Sequence, residues 1–331
     1  MKTILVCGAT GNTGKATIQE LCKESPDHVQ VLALVRDPNS DKAQQLKTTL
    51  DTAVAAAAAA AAVTIIKGSF DDPASLQKAF DACQPDACFL ACSNQLNQIE
   101  LETNVIEAAE KCSSCNYLVK ISTCGAVSDK VGPYIGPNSV IAYSRSHAII
   151  EERLKQISTT KLHYTVLRPN CFMQNHAGDI FGTMSHKFIS YPHLSAAASI
   201  VDARDVGAVA AKLLLMPLEE RKLKHAGKFY DVCGPEALTV QDLAALYSKE
   251  LSKAQKITIQ AKECDIATFQ SGLVQGAGFP EWLAEAVTKN HKMFWAEGCL
   301  NYPSSPQVLE LQPTFRTMQE WVKEMAPMVQ F

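Results

Sequence analysis

The chain has 331 residues, 47% of them hydrophobic, and a formal net charge of −3. That length holds one large or two modest domains around a sizeable core, and the near-neutral charge gives no electrostatic basis for generalised binding to nucleic acid or an anionic membrane. No apolar segment is long enough to span a bilayer, and Met1-Lys2 leads straight into an apolar strand without the hydrophobic stretch of a signal peptide, so a soluble, cytoplasmic protein is expected.

Residues 3–7 form an apolar run suited to a buried parallel strand, and residues 15–23 read as a helix. Between them stands Gly8-Ala-Thr-Gly-Asn-Thr-Gly14. Strand, glycine-rich turn and helix in that order are the context of a dinucleotide fingerprint. Such a turn lets backbone approach a pyrophosphate closely, while free N–H groups at the positive helix end balance its charge. Gly8, Thr10, Gly11, Asn12, Thr13 and Gly14 are the candidate cradle. A second strand at 29–35 ends on Arg36-Asp37-Pro38, where the adenine-side ribose would lie. An acidic residue here binds a 2′-hydroxyl and an arginine accommodates a 2′-phosphate; Arg36 comes first off the strand, which favours NADP(H) over NAD(H). The plainer reading is a solvated charge at a strand end, with Asp37 reading the ribose.

Residues 41–62, closing in an alanine tract, read as a surface helix without chemistry. Strands are expected at 63–67, 87–92, 117–122 and 164–168, separated by helix-like runs around 74–82, 97–111 and 144–157. This alternation predicts an α/β doubly wound parallel sheet of the Rossmann type. Ligands of such sheets bind beyond the carboxyl ends of the strands, so Arg36, Ser69, Phe70, Ala91, Cys92, Ser93, Ser122, Thr123, Cys124, Pro169 and Asn170 are expected to face one crevice. Phe70 is placed near the adenine and the loop after Cys92 near the nicotinamide-side ribose. Twelve cysteines are enough for a disulfide framework, but several sit inside strand-like runs and a chain this large needs no staples, so buried free thiols are expected. Cys112-Ser-Ser-Cys115 has redox or metal spacing, yet no second cysteine or histidine pair accompanies it, and no metal is expected.

The glycine turn, Val35-Arg-Asp-Pro38, Lys67-Gly-Ser-Phe-Asp-Asp72, Tyr164-Thr-Val-Leu-Arg-Pro169 and Phe172-Met-Gln-Asn175 together resemble NmrA-like proteins, atypical members of the short-chain dehydrogenase/reductase superfamily. The similarity continues through Ile200-Val-Asp-Ala-Arg-Asp205 and Phe229-Tyr-Asp-Val-Cys-Gly-Pro235 to residues 315–321. The resemblance implies a Rossmann domain over 1–168, with contributions from about 200–233. It also implies a smaller, discontinuous α+β substrate lobe over 169–199 and 234–331. Ser69 departs from relatives, which usually carry an acidic residue there, so adenine contacts would rely on backbone groups.

Active superfamily members commonly use a Tyr-x-x-x-Lys pair and a serine. The lysine lowers a tyrosine pKa that otherwise stands near 10, so the phenol can exchange a proton with substrate. Here the matching segment is Tyr143-Ser-Arg-Ser-His147, with Glu151 one turn on, and the serine position falls on Cys124 beside Ser122 and Thr123. Tyr143, His147 and Cys124 are therefore the candidate catalytic residues, although Tyr143 also reads as an ordinary core aromatic. Histidine followed four residues later by glutamate is seen in NmrA-like quinone reductases, whose activated substrates need little acid catalysis. Thr123, Phe172, Met173 and Asn175 are the candidate substrate contacts, together with Asn170. Phe269, Phe279, Trp282, Phe294 and Trp295 read as lobe core or as a flat apolar pocket. The expected function is NADPH-dependent reduction of a carbonyl, quinone or enone small molecule. The alternatives are a non-catalytic NADP-binding sensor that passes redox state to a regulatory protein partner, or a nonredox isomerase or cyclase.

Overall fold

The computed structural model describes residues 1–24, 29–48, 63–157, 161–251 and 257–328. Seven strands, β1 (Lys2–Cys7), β2 (Val29–Val35), β3 (Val63–Lys67), β4 (Ala87–Leu90), β5 (Tyr117–Ile121), β6 (His163–Pro169) and β7 (Lys228–Val232), pair in parallel in the order 7-6-5-4-1-2-3. The order reverses between β1 and β4. Apolar side chains on both faces of these strands demand cover on both sides, which crossover helices supply. On one face lie α1 (Asn12–Glu24) and α5 (Ala203–Leu215), packing Ile18, Leu21, Val206 and Leu213 against Ile4, Val6 and Val31. They approach so closely that a Cβ on Gly207 would stand 2.6 Å from that of Ala16. On the other face lie α2 (Pro73–Cys83), α3 (Gln98–Lys111) and α4 (Ala142–Gln156), whose Leu76, Phe80, Ile106, Ile150 and Leu154 cover Leu5, Cys88 and Leu118.

Local chemistry sets the helix ends. Asp72 caps α2 by accepting from the Ser75 amide at 3.1 Å, with Pro73 in the first turn, and Gln84 closes it in the left-handed region at φ 42°. Asp202 caps α5, accepting from the Arg204 amide at 2.8 Å.

A third hydrophobic cluster forms the C-terminal lobe, gathering Met173, Ile189, Leu243, Tyr247, Phe294, Trp295, Met318 and Trp321. It also takes in Cys124, Ala126, Tyr134 and Ile141, from the segment joining β5 to α4, and Tyr143 from the first turn of α4. Short strands edge it: Phe188–Tyr191 beside Gln260–Glu263, and Ala198–Ser199 against Ala237–Leu238.

All six expected strands are present; the one expected to run to Cys92 ends at Leu90. Of the helix expected over 41–62, residues 41–48 are helical and 49–62 lie outside the described residues. The twelve cysteines are all free, Cys7, Cys88, Cys112 and Cys115 among the buried ones. Among the described residues, no helix is long and apolar enough to cross a membrane, and no group of three metal-ligating side chains is assembled.

Candidate active site

The glycine turn sits at the point where the strand order reverses, and its three glycines have different duties. Gly8 has φ +93°, and a Cβ there would stand 2.1 Å from the Ala91 carbonyl oxygen, so only glycine lets β1 and the end of β4 approach. A Cβ on Gly14 would meet the Gly8 carbonyl oxygen at 2.2 Å, so Gly14 permits α1 to start directly against the turn. Gly11 is exposed, and a Cβ there would meet only the Gly8 carbonyl oxygen at 3.4 Å. The space above Gly11 is open. Thr10 is half-buried, Asn12 exposed and Thr13 buried, and the first turn of α1 carries no acidic side chain, so nothing cancels its positive end.

At the end of β2, Asp37 is committed to its own turn: its carboxylate accepts from the Asn39 amide at 2.9 Å and its carbonyl from the Ser40 amide at 3.2 Å. Arg36 beside it is exposed and makes no hydrogen bond or ion pair among the described residues. At the end of β3, Ser69 donates its hydroxyl to Asp71, and Asn104 Nδ2 holds the Phe70 carbonyl at 2.9 Å. Beyond β4, Ala91 and Cys92 are half-buried and Ser93 is exposed, its hydroxyl accepting from Gln95 at 3.1 Å; burial pushes the Cys92 thiol up to about 12.

The expected catalytic trio is divided between two buried networks. Tyr143 shares a 2.6 Å hydrogen bond with the Tyr134 hydroxyl, close to Cys124, in the lobe cluster. Burial raises the pKa of Tyr143, Tyr134 and Cys124, so no phenolate or thiolate is prepared there. His147 lies elsewhere, with its Nδ1 2.9 Å from Lys120 Nζ. Lys120 also pairs with Glu102 at 3.2 Å, and Gln98 donates to that carboxylate at 2.8 Å. Burial and the Lys120 charge hold His147 well below the ordinary histidine range, so it is a neutral imidazole. Burial pushes Glu102 upward, against the pull of Lys120.

Ser122 donates to Glu151 at 2.6 Å, and Arg168 presents both Nε, at 3.0 Å, and Nη2 to the same carboxylate while lying 4.9 Å above the Phe229 ring. This fork fastens the ends of β5 and β6 to α4. Thr123 is half-buried, its hydroxyl 4.0 Å from the Cys124 sulfur. Past β6, Pro169 and Asn170 are buried, Asn170 donating to the Leu300 carbonyl at 2.9 Å and accepting from the Cys171 amide. Phe172 is half-buried against the sheet, Met173 has no exposed surface, and Asn175 is exposed. Phe294 and Trp295 are lobe core.

Lys120, Glu102, Gln98, Tyr134 and Arg168 were not singled out from the sequence. A signal existed for one: Lys120 interrupts an otherwise apolar strand, Tyr117-Leu-Val-Lys-Ile121.

A parallel sheet whose order reverses at a glycine turn, with an open helix end above it, defines a nucleotide-binding protein of the Rossmann class. Within that class the chain belongs to the NmrA-like family, whose profile matches residues 1–322. It is 24% identical over 323 residues to a (4-alkanoyl-5-oxo-2,5-dihydrofuran-3-yl)methyl phosphate reductase of Streptomyces griseus, covering 98% of each chain. It is 27% identical to quinone oxidoreductase 2 of Escherichia coli, covering 86% of this chain and 85% of that one. The crystal structure of the latter as an NADPH complex superposes with a TM-score of 0.72 at 22% identity, over 97% of this chain and 99% of that one. Triphenylmethane reductase of a Citrobacter species gives a TM-score of 0.75 at 21% identity, over 98% and 99%.

Proposed function

We propose that the chain is an NADPH-dependent reductase of a small carbonyl compound activated by conjugation, such as a quinone or an enone. One observation carries this reading: an unpartnered Arg36 at the end of β2 stands beside a glycine turn left open at Gly11. That combination offers a cation to a 2′-phosphate and backbone N–H groups to a pyrophosphate. Gly8, Thr10, Gly11, Asn12, Thr13 and Gly14 would cradle the pyrophosphate; Arg36 would hold the 2′-phosphate, Ser69 and Phe70 the adenine side. Ala91, Cys92, Ser93, Ser122, Pro169 and Asn170 would border the nicotinamide side. When bound, NADPH supplies hydride.

The preference for conjugated substrates follows from proton chemistry. A simple ketone needs a positioned acid, but Tyr143 has its pKa raised by burial and its hydroxyl shared with Tyr134, while His147 is neutral. A quinone or enone spreads the developing charge and needs less help. Quinone oxidoreductase 2 and the Streptomyces reductase, both named for reduction of small molecules, support the reading. Residues 1–168 with about 200–233 would bind the nucleotide, and 169–199 with 234–331 would form the substrate lobe, Thr123, Phe172 and Asn175 facing substrate. The test is NADPH oxidation against a panel of quinones, enones and aldehydes, with nucleotide affinity measured in parallel. Turnover of quinones or enones well above aldehydes is expected. Tight NADPH binding with no turnover of any of them would overturn the reductase in favour of a nucleotide sensor.

A further inference from the structure

The superfamily pattern places a lysine where this chain has His147, yet a lysine reaches the same region from another direction. Lys120 points from the penultimate position of β5 into the interior, wholly buried, with Nζ 2.9 Å from His147 Nδ1, 3.0 Å from the Ile121 carbonyl and 3.2 Å from the Glu102 carboxylate. An ammonium here has two acceptors, the imidazole nitrogen and the Ile121 carbonyl, and a carboxylate at ion-pair distance to balance its charge. An ammonium has no lone pair to offer, so Nδ1 must provide one, and the single proton of a neutral imidazole is left on Nε2. A second proton would place two cations 2.9 Å apart in the interior. Gln98 does not alter this. Its amide nitrogen lies 3.2 and 3.5 Å from the two ring nitrogens, so nearly equidistant that it covers the ring instead of lining up with either, and its hydrogen bond goes to Glu102.

We propose that Lys120 is the positioning lysine of this site: entering from strand β5 instead of helix α4, it locks His147 as the neutral Nε2–H imidazole. Glu102 on α3 is its counter-ion, and Glu151 on α4, itself held by Arg168, is the other carboxylate acting on Glu102. The imidazole can then offer one hydrogen bond through Nε2 but cannot deliver a proton as imidazolium at neutral pH. The charge that a lysine on α4 would bring directly is here relayed through a ring, whose orientation is fixed from below. The lock itself holds whichever substrate is reduced; only its bearing on turnover rests on the reductase reading.

The test is the nitrogen NMR spectrum of full-length protein labelled on histidine, with His147 assigned through His147→Gln. In the parent, Nδ1 should appear unprotonated, Nε2 protonated, and the ring should not titrate from about pH 6 to 8.5, where an ordinary histidine of pKa near 6.5 loses its charge. In Lys120→Met, Glu102 loses its cation, and His147 should either gain a proton or shift toward Nδ1–H. The double variant Lys120→Met/Glu102→Gln leaves no charge unpaired and is expected to fold even if the single variant does not. There the lock should be lost, with a mixture of tautomers. An Nδ1–H ring or a titration near neutrality in the parent overturns the proposal, and so does an unchanged spectrum in the double variant. Absence of NADPH oxidation by the parent would count against the reductase alone, because the spectrum is read without substrate.

Discussion

Removing the Glu151 carboxylate should loosen the wall of the cleft by a measurable amount. Glu151 is 3% exposed and accepts from Ser122 Oγ at 2.6 Å, from Arg168 Nε at 3.0 Å and from Arg168 Nη2. In Glu151→Ala the Ser122 hydroxyl is stranded and the guanidinium keeps only Asp231 as a nearby carboxylate. Breaking one side of a fully buried ion pair costs about 3–5 kcal/mol. The Arg168 side chain keeps 23% of its surface exposed, so water can replace part of the lost carboxylate. A cost of about 2–3 kcal/mol is therefore expected, a fall in Tm of roughly 3–4 °C for a chain of this size. Glu151→Gln keeps the shape and one acceptor and should lose about half as much. Thermal unfolding of both variants, beside NADPH titration, reads the effect. Because Ser122 and Arg168 lead directly into Thr123 and Pro169, nucleotide affinity should weaken along with stability. A Glu151→Ala protein that melts with the parent would refute the claim that this carboxylate fastens β5 and β6 to α4. Equal losses in the alanine and glutamine variants would refute the claim that part of the fork survives.

Arg36→Ala should lower NADPH affinity about tenfold and leave NADH affinity unchanged, as expected for one charge-assisted contact at an exposed site; calorimetry showing equal NADPH and NADH affinities in the parent would refute the assignment. Gly11→Val should unfold like the parent yet fail to bind either nucleotide, because its side chain would enter the open space above the turn. Retained binding would make that turn merely structural. His176 is lifted to about 9, burial opposing its charge but being outweighed by Asp179 at 3.0 Å and by Cys171. Its folded pKa exceeds an unfolded value near 6.5, so the stability it contributes is full below about pH 6.5 and is lost as pH rises toward 9. The advantage in urea midpoint of the parent over His176→Gln should shrink between about pH 6.5 and 8, a difference in which the contributions of the neutral buried histidines His147, His193 and His291 and of the unfolded cysteines cancel. An advantage over His176→Gln that stays level over this window would show that His176 is not charged in the folded state.

The glycine turn and the six expected strands were legible because each rests on a local pattern: an apolar run, a turn residue, a helical period. β7 was not named from the sequence, since Lys228-Phe-Tyr-Asp-Val232 carries a charge at its start and another inside and shows no clean apolar run. The buried networks were less legible for a different reason. Glu102 and Gln98 look like polar residues on a helix surface until α3 is laid against β5, and only then do they meet Lys120. Met173 shows the same limit in reverse. Its place just beyond β6 suggested a residue lining the cleft, whereas the 3-10 turn at Met173–His176 points it into the lobe core. The distinction between facing a cleft and facing a core is set by one turn of backbone, which periodicity does not register.

The segment between β5 and α4 belongs by chain order to the sheet, but by packing to the lobe. Tyr134 meets Phe294 edge to face at 5.0 Å between ring centres, Gly125 donates its amide to the Tyr302 hydroxyl at 3.2 Å, and Lys130 pairs with Glu297. Cooperative units in proteins are defined by what opens together and not by sequence order. Amides of Ala126 and Tyr134 should therefore exchange with solvent deuterium in step with those of the lobe helices, and more readily than those of β4 and β5. A lobe anchored in this way cannot swing as a lid without dragging Cys124 and Tyr143 along, so any opening of the lobe moves the segment with it.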